Sequence, residues 1–149
     1  MDPFTIAGVS GVLLLTLCLG TVVHEYTHAL ALRAFGIEYR IDWLGGRKGI
    51  GRLRAGVLGT WASVTPQLSD GTSVAGLRVA ALMPLTLTIP FVLVAVGIVS
   101  DPLATGSPYV IAAAVAWLAC ALPSPQDFST VWYAHRLVDE ETSAKRDSC

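Results

Sequence analysis

Long uncharged runs separated by short polar clusters dominate the chain. No charged residue occurs from Pro3 to Val23, from Val79 to Ser100, or from Pro102 to Gln126. At 1.5 Å of rise per residue, each run is long enough as a helix to cross a hydrocarbon core of about 30 Å. The pattern predicts a mainly α membrane protein with about three transmembrane helices, over about 4–35, 76–99 and 108–136, in one domain covering 1–149. The first run lacks a basic n-region and leads into a charged cluster at His24 instead of a small-residue cleavage site. It therefore reads as part of the mature protein and not as a signal peptide.

Between the first two runs the period changes. Ile37, Tyr39, Ile41 and Trp43 alternate with Glu38, Arg40 and Asp42, as in a strand with one apolar face. Gly45-Gly46 supplies a turn, and Val57 to Val64, with Trp61, forms a second β-like run. A small β-hairpin or sheet over about 37–66, lying at the inner membrane surface, is expected. Its aromatic residues suit an interfacial anchor; an edge that pairs with an extended substrate is the alternative. Pro84 and Pro90 predict a kinked second span. From about Asp139 the polar, mixed-charge tail is expected to fray.

Composition agrees with the runs. Hydrophobic residues make up 53% and charged residues 14%, against roughly 25% charged in soluble domains, and mean hydropathy is +0.60. A net charge of -1 and a pI near 6.2 leave no basic field for nucleic acid. Cys18, Cys120 and Cys149 form no CxxC, so neither a disulfide framework nor a cysteine metal site is read. The segment between the first two spans holds Arg40, Arg47, Lys48, Arg52 and Arg54, and the tail holds Arg136, Lys145 and Arg146, while the N-terminus and the Asp101 region have no Lys or Arg. The positive-inside rule then puts the N-terminus outside, the basic segment inside and the tail inside.

Directly after the first apolar run comes His24-Glu25-Tyr26-Thr27-His28, an HExxH. On a helix, histidines four apart share a face and can reach one Zn²⁺ at about 2.0–2.1 Å. Glu25 then stands where a carboxylate can take a proton from water that the metal has acidified. The helical context is well supported: Thr21 through Phe35 contains neither Gly nor Pro. Ionisable groups at the end of a membrane span mark functional sites, although interfacial polar residues at a helix exit could also take these identities.

Two histidines leave a catalytic zinc one protein ligand short. Asp127 and His135 are the candidates, with an acid elsewhere also open. If Ser107 caps the third span with Pro108 at its first position, Asp127 lies about 27–29 Å along it, and His24 lies about 30 Å along the first span. The two depths match. Ser124-Pro125-Gln126-Asp127 also reads as a helix start, with Ser as N-cap and an acid at N3, and that role needs no metal.

These features together resemble the site-2 protease family of intramembrane zinc metalloproteases. The likeness rests on a span ending in HExxH, a β-like segment, a second span with a proline near its start, and Leu122-Pro123-Ser124-Pro125-Gln126-Asp127-Phe128, similar to the family's proline-rich turn followed by Asp-Gly. The resemblance implies His24, His28 and Asp127 as ligands of one Zn²⁺ per chain and Glu25 as general base. It further implies a membrane protein or peptide as substrate within the lipid bilayer. The expected location is the plasma membrane of a prokaryote, with the active site toward the cytoplasm. Phe128 stands where the family often has glycine. The chain also lacks the asparagine that many members carry between the zinc-binding helices, offering only Thr86 or Thr88 there. Loss of one oxyanion donor can cost about 10²–10³ in rate, so a different donor, a slow enzyme or a non-proteolytic zinc-binding protein follows from that departure.

Overall fold

The computed structural model describes residues 2–43, 62–69 and 71–147. In chain order it contains α1 (Pro3–Ala34), β1 (Tyr39–Trp43), β2 (Ala62–Pro66), α2 (Val74–Leu82), a 3₁₀ helix (Met83–Thr88), α3 (Ile89–Ala95), a 3₁₀ turn (Pro102–Thr105), α4 (Pro108–Ala121) and α5 (Pro125–Asp147). The Gly45-Gly46 turn, the cations Arg47, Lys48, Arg52 and Arg54, and the 57–61 part of the second β-like run lie outside the described residues.

Among the described residues, three helical stretches are long and apolar enough to cross a membrane: Pro3–Ala34, Val74–Ala95 and Pro108–Glu140. Their surfaces expose large apolar side chains, Leu14 at 61% and Leu15 at 71% among them. Continuous apolar surface of this kind needs a non-aqueous solvent, and the chain is a membrane protein.

Local chemistry sets the ends of these elements. Asp2 starts α1 by accepting from Thr5 N at 2.9 Å and from the Thr5 hydroxyl at 2.7 Å. Those bonds, the backbone one first, hold its carboxyl below the ordinary carboxylate range. Gly36, at φ 67°, ends the helix: Gly36 N donates to Arg33 O and Ile37 N to Leu32 O, a Schellman arrangement. Ile37 is thereby turned into the core, so the first strand begins at Tyr39 and not at Ile37. A second Schellman end at Gly97 closes the second span at Ala95, four residues before the expected limit. The third span is two helices, because Pro123 has no N–H and drives Leu122 into extended backbone, φ -75° and ψ 134°. The tail does not fray at Asp139: good helix formers carry α5 on to Asp147.

The chain divides into two compact units, Met1–His24 with Pro84–Leu122, and Glu25–Met83 with Pro123–Cys149. In the first, glycines let α1 and α4 touch. A Cβ on Gly20 would lie 2.7 Å from Cys120 Sγ and 2.9 Å from its Cβ, and one on Gly8 would lie 2.9 Å from the Tyr109 ring. Trp117 Nε1 donates to Leu87 O at 3.0 Å.

In the second unit the core is Ala31, Leu32, Ile37, Leu77, Ala80 and Ala134, joined at its margin by Tyr39 and Val64. Leu77 is 1% exposed; burying a side chain of that size from water contributes about 1.5–3 kcal/mol. α2 packs along α5, and Arg78 Nε donates across the seam to Val131 O at 3.0 Å. β1 and β2 form an antiparallel pair with Tyr39 opposite Pro66 and Trp43 opposite Ala62. The expected two-residue period holds in β1: Arg40 and Asp42 pair at 3.1 Å on its polar face, while Tyr39 packs on the core.

Candidate metal centre

His24, Glu25 and His28 lie on one uninterrupted stretch of α1, which passes from the first unit to the second between His24 and Glu25. Both histidines are 8% exposed, the buried polar side chains among the described residues. Burying imidazole without partners costs several kcal/mol, and each ring has a defined one. His24 Nδ1 lies 2.6 Å from Cys120 O, and His28 Nδ1 lies 2.7 Å from Ala80 O. A carbonyl oxygen only accepts, so each Nδ1 carries a hydrogen and donates. A neutral ring held this way keeps its lone pair on Nε2, the state in which histidine binds a metal.

Asp127 is set by the start of α5. Ser124 N donates to Asp127 Oδ2 at 2.6 Å and Asp127 N donates to Ser124 Oγ at 3.2 Å, the reciprocal capping expected of Ser-Pro-Gln-Asp. With Oδ2 engaged in the cap, Oδ1 lies 3.2 Å from His28 Nε2. Either a proton on Nε2 or a cation shared by both atoms accounts for an approach of that length. Ligand atoms about 2.0–2.1 Å from a tetrahedral zinc are themselves about 3.3 Å apart. The spacing is compatible with a shared cation as well as with an ion pair. Within the second unit His28 and Asp127 meet, and His24 precedes His28 by one turn of the same helix; two imidazoles with one carboxylate form a donor set that suits zinc. His135, the other candidate third ligand, is exposed on α5.

Glu25 lines the same small cavity as His28, Asp127, Ser124 and Val64, about 70 Å³, enough for an ion with water beside it. Val64 N donates to Glu25 Oε2 at 3.0 Å and orients the carboxylate. That bond was not foreseeable from spacing. It also bears on the hairpin: the Val64 N–H on the side of β2 away from β1 is engaged, and Pro66, two residues on, has none. An added strand would find no main-chain donor at either position. Thr88, one of the two possible oxyanion donors, gives its hydroxyl to Leu85 O at 2.7 Å within its own turn.

Gly20 sits one turn before His24, and its missing Cβ is what lets the end of α4 bring Cys120 O to the ring. Gly20→Ala is expected to push the two helices apart and weaken zinc binding about 10–100-fold, the usual effect of losing such a supporting bond. Competition with a chromophoric chelator in detergent measures this; unchanged affinity would separate the close approach from the centre.

No protein-family model, curated protein or solved structure matches the chain.

Proposed function

We propose that this membrane protein is an intramembrane zinc-dependent endopeptidase of the kind that the site-2 proteases exemplify, acting on membrane-associated or transmembrane polypeptides. The observation that carries the reading is the 3.2 Å approach of Asp127 Oδ1 to His28 Nε2 beside Glu25. His24 and His28, through Nε2, and the Asp127 carboxylate hold the metal, one per chain. Bound zinc polarises a scissile carbonyl and acidifies water. Glu25 accepts the proton released by the attacking water and returns it to the departing amine. Val64 N–H fixes the carboxylate for that transfer, and Cys120 and Ala80 fix the rings. The positive-inside rule places this end of α1 toward the cytoplasm.

The test is metal content and cleavage together. Purified protein in detergent is expected to carry close to one zinc per chain and to cleave a transmembrane peptide in a reaction that a chelator stops and zinc restores. Folded protein that holds no metal would overturn the reading. Zinc without cleavage would point to the second reading, a non-proteolytic zinc-binding membrane protein, which the missing asparagine and the engaged Thr88 hydroxyl favour.

A further inference from the structure

In a regular α-helix the carbonyl of residue i is taken by the N–H of residue i+4. The two carbonyls that hold the histidine rings have each lost that donor to a proline device. The residue four after Ala80 is Pro84, which has no N–H; Ala80 O takes a tighter bond from Met83 N and keeps its second lone pair for His28 Nδ1 at 2.7 Å. The residue four after Cys120 is Ser124. Pro123 breaks the helix at Leu122, and the Ser124 N–H turns to Asp127 Oδ2 at 2.6 Å, leaving Cys120 O to receive His24 Nδ1 at 2.6 Å.

We propose that Pro84 and Pro123 are positioning residues for the metal centre: each withdraws a backbone donor from a membrane helix and delivers the freed carbonyl to one ligand histidine. The device answers a membrane problem. Within hydrocarbon an unpaired carbonyl is costly, and an imidazole N–H without an acceptor is equally so. Pairing the two removes both costs and fixes the tautomer that leaves Nε2 for a metal. At Asp127 the same break does more, because the Ser124 N–H that Cys120 O has lost now holds Oδ2 and aims Oδ1 at His28.

The inference rests on the zinc reading for its consequence but not for its hydrogen bonds, and the experiment separates them. Pro84→Ala restores an N–H that competes for Ala80 O. The expected result is a 10–100-fold weaker zinc affinity by chelator competition, together with loss of the hydrogen-bonded Nδ1–H resonance of His28 but not of His24 in ¹⁵N-histidine-labelled protein. Pro90→Ala is the control. It removes a proline of the same span that lies four residues after neither of the two carbonyls holding the ligand rings, and it should leave affinity and both resonances unchanged. If Pro84→Ala does not fold, Pro123→Ala carries the test, with the loss now expected at His24. Equal weakening by Pro84→Ala and Pro90→Ala, or wild-type affinity and an unchanged His28 resonance in Pro84→Ala, would overturn the proposal. Wild-type protein that binds no zinc would defeat the metal reading instead, and the resonances of the metal-free protein would still decide the role of the prolines.

Discussion

Glu25→Gln should leave zinc at about one per chain and lower peptide turnover by about 10²–10⁴-fold or more, the range over which a positioned general base acts. The substitution keeps the shape of the side chain and an oxygen that can accept from Val64 N, so the β2 contact survives. What it removes is the ability to hold a proton. Elemental analysis beside a cleavage assay reads both quantities on one preparation. Turnover retained in the glutamine variant would transfer the base role elsewhere; zinc lost along with turnover would mean that Glu25 supports the metal and not the proton.

The second large effect is expected at Asp127, where one carboxylate does two jobs that must be separated. Oδ2 accepts from Ser124 N at the start of α5, and Oδ1 faces His28 Nε2. Asp127→Asn keeps an oxygen for the cap but loses the charge, so the helix start should persist while zinc affinity falls by more than about 100-fold, beyond what a supporting residue costs. Asp127→Ala should lose both, adding a stability penalty of about 0.5–2 kcal/mol for the missing cap. The asparagine variant with full zinc occupancy and activity would leave Asp127 as a capping residue alone. His135, exposed on the same helix, offers the internal comparison.

Several features were legible in order along the chain because their causes are local. Apolar run length and helical rise place the three spans. The i, i+4 spacing puts His24 and His28 on one face of α1, and Ser124-Pro125-Gln126-Asp127 announces its own capping bonds. Where local reading erred, the displacement was small and had a nearby cause: Gly36 starts β1 two residues later than alternation implied, and Gly97 ends the second span early. Proline placement foretold an irregular second span. It did not tell which carbonyls the breaks would free, or for whom.

Partner choice depended on packing. Rise per residue matched the depths of Asp127 and His24, yet depth alone left His135 open, since a helix can rotate about its axis at no cost that sequence spacing records. The seam of α2 against α5 and the touching of α1 and α4 at Gly20 remove that freedom within their units. They join residues 52 and 96 positions apart in the His28–Ala80 and His24–Cys120 bonds. Short-range geometry is written by backbone periodicity and can be read one turn at a time. Which acid meets a histidine, which carbonyl holds its ring and which N–H steadies Glu25 follow from many side chains filling space at once, and no window of the chain contains them.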